Sequence, residues 1–111
     1  MLEHTTILSL VKIKPILKRF KRMNKEELIN YTNELFKLFI IDLTQSKSIS
    51  RYRIAKDTGL TEQFFSNKFN GYSKRFVSLP TIYLIANTYN FTFDLLKYDK
   101  QYKQQLNQQS K

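Results

Sequence analysis

The 111-residue chain is long enough for one compact domain with a short extension, and nine Phe and seven Tyr can fill a modest core. With no Cys and one His it offers neither a disulfide framework nor a zinc set, and no apolar run approaches the ~20 residues that cross a bilayer. The net charge of +10 is uneven: +6 over residues 1–25, −2 over 26–50, +4 over 51–75 and +2 over 76–111, which points to a polyanionic partner.

Glu3 and His4 precede the first apolar residues, so no signal peptide is expected. Two Gly and two Pro are few, which favours long helices over a turn-rich β fold. In residues 1–23, Ile7, Leu8, Leu10, Val11 and Ile13 suit either a short strand or a helical turn. Pro15 fits the first turn of a helix that puts Ile16, Leu17 and Phe20 on one face. Lys18, Arg19, Lys21 and Arg22 would lie mostly opposite, as a solvated basic face. Three roles are open to this segment: lying across DNA phosphates, docking on the domain as an extra helix, or helping to make a dimer.

Asn24 followed by Glu27 resembles a capping box and opens a helix running to about Gln45. Leu28, Tyr31, Leu35, Leu38, Phe39 and either Asp42 or Leu43 hold helical spacing along it and form the core stripe. Residues 44–50 are a polar connection. Ser50 can cap the next helix, in which Ile54 and the small Ala55 form an apolar patch. Gly59 suits the left-handed backbone that ends a helix, Leu60 is a buried anchor, and Thr61 caps a second short helix. Phe65 and Phe69 share one face of that helix, and Gln63, Ser66, Asn67 and Asn70 occupy the other. Asn70-Gly71 is a turn signal. Two helices joined through a glycine, the second with an uncharged polar edge, read as a helix-turn-helix.

Residues 72–78 form a loop carrying Lys74 and Arg75. Ser78 caps a helix with Leu79 and Pro80 in its first turn and a buried stripe of Ile82, Ile85, Ala86 and Tyr89. Asn90 suits a left-handed end. Thr92 caps a short last helix packed by Phe93, Leu95 and Leu96. Residues 101–111, rich in Gln and Lys, have little to bury and are expected to fray. The predicted organisation is a basic extension (1–23), a helical domain (24–98) and a polar tail (99–111).

The string SRYRIAKDTGLTEQFFSNKFNG, residues 50–71, with KRFVSLPTIYLIANTYNFTFDLL after it, resembles the lambda-repressor and Cro-like (XRE-type) helix-turn-helix family over residues 35–96. The resemblance implies an all-α fold, a compact five-helix domain of that type following the basic N-terminal extension. It also implies sequence-specific binding to double-stranded DNA as a homodimer. The implied role is a transcriptional regulator, a repressor of a phage, plasmid or other mobile element, located in a bacterial cytoplasm and associated with the nucleoid when bound.

A helix in the major groove meets a distinct donor–acceptor pattern at each base pair. Gln63 and Asn67, four apart, suit adenine N6 and N7. Glu62 can accept from cytosine N4, and Ser66 can serve either way. Phe64 either presses on thymine methyls or folds back onto the core. Phosphate contacts are expected from Thr61 at the helix start, from Arg51 and Arg53 on the preceding helix, and from Asn70, Tyr72, Lys74 and Arg75 after the reading helix. By the resemblance, the positions of Arg51, Glu62, Gln63, Asn67, Asn70, Lys74 and Arg75 match those that touch DNA. Two positions depart from the family pattern. Lys68 stands where an apolar residue is common, with Phe69 expected to take over its packing. Val77 stands where some members carry a basic residue that enters the minor groove, which leaves any such contact to Arg75.

No nucleophile–base pair, phosphate loop or metal set supports an enzyme, and no cofactor is expected. An alternative is an antitoxin or immunity protein that uses the same fold to hold a partner protein and to regulate its own operon. A protein partner or antirepressor is also compatible with the regulator reading. A third reading places the basic arm on an anionic membrane surface.

Overall fold

Small polar residues set the helix boundaries. The computed structural model describes residues 13–71 and 74–109. Among them the chain forms six helices and no strand: α1 (residues 13–22), α2 (Lys25–Lys47), α3 (Arg51–Thr58), α4 (Glu62–Phe69), α5 (Leu79–Thr88) and α6 (Leu95–Gln109). Asn24, Ser50, Thr61 and Ser78 each cap a helix as their positions predict, accepting from the backbone N–H of Glu27, Arg53, Phe64 and Thr81. Gly59 takes the left-handed conformation at φ +76°, and Asn90 does so at φ +50°. Ser48, which the sequence left inside a polar connection, is also left-handed at φ +54° and ends α2. The possible strand at residues 7–11 and the segment up to residue 12 lie outside the described residues.

Helix α2 is the spine. Its 23 residues run about 34 Å at the usual helical rise. One buried stripe, Tyr31, Leu35, Phe39 and Leu43, follows the predicted spacing. A second, Ile29, Asn33, Phe36 and Ile40, lies beside it and was not foreseen. A polar residue in that stripe hides it from a hydrophobic pattern. The two stripes face different neighbours. Phe36 meets Phe65 at 6.1 Å and Phe64 at 5.8 Å, ring centre to ring centre, which seats α4. Phe39 meets Phe93 at 5.2 Å and Tyr98 at 6.1 Å, which seats α6 and the segment before it. Helix α3 packs against α4 and α5.

Two expectations about the ends are corrected. The helix count is six rather than five, because residues 13–22 form α1 and dock on the domain. Ile16 is buried and Phe20 meets the Tyr31 ring edge-on at 5.3 Å, whereas Leu17, expected on the same face, is exposed. The region expected to fray is helical as far as Gln109. Its start is also shifted: Asp94, not Thr92, accepts from the Lys97 N–H at 3.2 Å. Leu95, Tyr98, Asp99 and Tyr102 form the inner face of α6. Asp99 is the residue that a hydrophobic pattern cannot credit.

Asp99 is 4% exposed and holds three elements together. Its carboxylate accepts from the Tyr31 hydroxyl of α2 and from the Arg19 guanidinium of α1, with Lys103 at 3.5 Å. Burial alone would raise its pKa; the bonds from Tyr31 and Arg19 outweigh burial and hold it below the usual carboxylate range. Burial and the same carboxylate push the Tyr31 hydroxyl well above its ordinary value. A second, shallower copy of the device joins α2 to α6: Asp42 accepts from Tyr98 at 2.8 Å and from Lys97 at 2.9 Å.

Both carboxylates titrate below their ordinary range, so their contribution is complete at neutral pH and is lost as pH falls below that ordinary range, about 4. Tyr31 and Tyr98 are raised, so theirs is complete below about 10 and is lost as pH rises beyond it. Stability should therefore fall at both extremes. Asp99→Ala should cost about 2–4 kcal/mol at neutral pH, less than a fully buried pair because Arg19 keeps some solvent. Urea unfolding should show this, and the variant should lose much of the wild type's acid-side slope.

Candidate nucleic-acid interface

The turn between α3 and α4 is built from Gly59, Leu60 and Thr61. Gly59 reverses the chain, Leu60 packs against the core, and the Thr61 hydroxyl accepts from the Phe64 N–H at 3.1 Å. That hydroxyl can still donate outward. Three residues fix the pitch of α4: Phe65, 2% exposed; Phe64, edge-on to Phe65 at 5.3 Å as well as to Phe36; and Lys68, 4% exposed. Phe64, offered as a thymine contact or a core residue, is a core residue and leaves the outward set.

The outward edge of α4 carries Glu62 and Gln63, both exposed, with Ser66 and Asn67 half-buried beside them. Gln63 Nε2 donates to Asn67 Oδ1 at 2.7 Å. Gln63 Oε1 and Asn67 Nδ2 then remain as an adjacent acceptor and donor. Asn70 Nδ2 donates to Ser66 Oγ at 3.2 Å and extends the ridge toward the turn.

The N-terminus of α3 lies beside this ridge. Ser50, Arg51, Tyr52, Glu62, Phe65 and Ser66 line an open hollow of about 400 Å³. Arg51 lies over the Phe69 ring with its guanidinium carbon 4.4 Å from the centre. Phe69 is thus half-buried under a cation. Tyr52, 61% exposed at the same rim, is a polar group that the sequence reading passed over. Its only signal is its place between two arginines at a helix start.

Arg53 is partly compensated. It lies 3.4 Å from Asp57, whose carboxylate also accepts from the Tyr89 hydroxyl at 2.8 Å. Burial and that bond push Tyr89 up to about 12, and the same bond holds Asp57 below its ordinary range. This contact ties α3 to α5 and leaves Arg53 a weaker candidate than Arg51. Lys74 and Arg75 follow α4 and are exposed. Tyr72 lies outside the described residues. Lys74 shares a second hollow, of about 510 Å³, with Lys25, Glu26, Ile29 and Asn30 of α2. Val77 is buried in the core.

Lys68 explains how the basic segment is held. Its ammonium donates to Asn33 Oδ1 at 3.3 Å and to the Arg75 carbonyl at 2.9 Å. Burial, then the nearby Arg75 charge, lowers its pKa. Phe69 packs against the core, and Lys68 is itself buried and bonds at its tip. Among the described residues no group of three His, Cys, Asp or Glu could hold a metal ion, and no helix is long and apolar enough to cross a membrane. His4 lies outside the described residues.

Lys68→Met should destabilise the chain by about 1–3 kcal/mol, because Asn33 and the Arg75 carbonyl lose their donor. Asn33→Leu should cost a similar amount by stripping a buried ammonium of one acceptor. The double variant should cost less than the two single changes added, as a urea-unfolding cycle can measure. Strict additivity would exclude a coupled pair.

Comparison with protein-family models, with curated proteins and with solved structures returned no match.

Proposed function

We propose that this chain is a sequence-specific double-stranded DNA-binding regulator of the XRE type, acting as a homodimeric repressor for a phage, plasmid or other mobile element. The observation that carries the reading is the Gln63–Asn67 amide pair on the outer edge of α4, a helix whose aromatic side is buried on Phe36. Paired amides are suited to adenine in the major groove. Glu62 and Ser66 flank them as further base contacts. Thr61 and Asn70 at the two ends of α4, with Arg51, Lys74 and Arg75, are exposed groups that suit phosphates. Bound over a promoter, such a dimer would exclude polymerase, with two reading helices about 34 Å apart. The resemblance of residues 35–96 to that family supports the same assignment.

A second reading, an antitoxin or immunity protein that also holds a protein partner, draws on the exposed apolar residues of α5. A stable co-purifying protein would favour it.

Selection of bound sites from random duplex DNA at fixed salt, followed by footprinting, tests the main reading and reports half-site spacing. Gln63→Ala and Asn67→Ala should each weaken the selected site by about tenfold to a hundredfold while leaving random DNA bound as before. Equal loss on every sequence would remove both from base recognition. Lys21, Arg22 and Lys25 are exposed, and Lys25 lines the hollow shared with Lys74. Changing all three to Gln should reduce the slope of log affinity against log salt by about two to three, with the preferred sequence unchanged. An unchanged slope would take the basic arm off the DNA.

A further inference from the structure

A lysine on a surface helix normally carries its ammonium to water. Lys68 of α4 does not. It is 4% exposed, and its ammonium donates to Asn33 Oδ1 of α2 at 3.3 Å and to the Arg75 carbonyl at 2.9 Å. A methionine would fill much of the same space without placing a charge in the core. What a methionine lacks is a donor for the Arg75 carbonyl. That carbonyl belongs to residues 74–78, which lie in no helix. Val77 is buried at the far end of this stretch, and Lys74 and Arg75 both expose their side chains. One buried bond therefore holds the backbone beneath two adjacent outward cations.

We infer that Lys68 is a positioning residue for DNA: it stays off the duplex and holds the Lys74–Arg75 segment in place against the helix that carries Gln63 and Asn67. A segment already ordered in the free chain gives up less conformational freedom on meeting phosphates than a loose one does. Phosphate contacts carry no sequence information, so the tether acts on affinity for every DNA alike. The second bond of the same ammonium has a different reach. Asn33 satisfies Lys68 from the α2 side and belongs to no part of the basic segment. The two bonds thus separate a role in holding the fold from a role in placing the cations. The inference rests on the DNA-binding reading and goes beyond it, by assigning part of the affinity to a residue inside the core.

Affinity and its salt dependence, measured with the full chain on the selected site and on random duplex DNA, test it. Lys68→Met should weaken both by about tenfold and reduce the slope of log affinity against log salt by about one to two, with the preferred sequence unchanged. Asn33→Leu also strips a bond from the ammonium but keeps the one to Arg75. With the folded fraction of each variant fixed by circular dichroism, it should bind within about twofold of the wild type. In a chain already carrying Lys74→Gln and Arg75→Gln, Lys68→Met should cost no more than about twofold further. Lys68→Gln, a side chain too short to reach Arg75, serves if Lys68→Met does not fold. No loss from the Lys68 change, an equal loss from Asn33→Leu, or the full loss repeated in the chain without the two cations overturns the inference, and wild-type site selection still upholds the DNA reading. A wild-type chain that binds DNA without selecting a sequence ends the sequence-specific reading alone, because slope and coupling are then read on random DNA. A chain that retains no DNA ends both.

Discussion

Burial of one helix on two sides governs the architecture. A surface helix needs a single apolar stripe, but α2 has two, and each recruits a different partner. Phe36 seats α4, and Phe39 with Tyr31 seats α6 and α1. The orientation of the candidate interface follows from the Phe36 stripe alone. Because Phe64 and Phe65 both turn toward Phe36, the amides at positions 63 and 67 have only the outside left to them. A change that moved Phe36 would rotate the whole ridge. Aromatic edges and faces give such contacts a preferred geometry that aliphatic packing lacks, which helps a small core specify one pose.

Two buried charges show how the same problem is solved in opposite ways. Asp99 is surrounded by donors from three helices and keeps its charge through them. Lys68 has acceptors from α2 and from the segment after α4, and its ammonium lies 5.7 Å from the centre of the Phe64 ring. Neither charge adds much stability compared with a well-packed apolar side chain. Each demands particular partners, so each fixes which elements meet. The basic segment around Lys74 and Arg75 owes its anchorage to Lys68, while the extra helix at the N-terminus owes its docking to Asp99.

The parts of the fold legible in the sequence are those written in local chemistry. Four caps, the Gly59 reversal and the first stripe of α2 all follow from residue types at fixed spacing. What could not be read depends on contacts between residues far apart in the chain. Asp99 looks like surface until Tyr31 and Arg19 are brought to it, and so the last helix looked like a fraying tail. Asn33 hides the second stripe for the same reason. In the candidate interface, the outward placement of Gln63 and Asn67 was legible from the phenylalanine spacing. The inward turn of Phe64 and the burial of Lys68 were not, because both depend on where Phe36 and Asn33 stand.

The bond between Gln63 and Asn67 has a consequence of its own. Long amide side chains normally lose rotamer freedom when they meet a ligand, at a cost of about 1 kcal/mol or more apiece. Here each already restrains the other before any ligand arrives, so part of that ordering is completed in the folded chain. Truncating either one also sets its neighbour loose. The pair therefore behaves as one recognition unit, and replacing both residues should remove little more than replacing one.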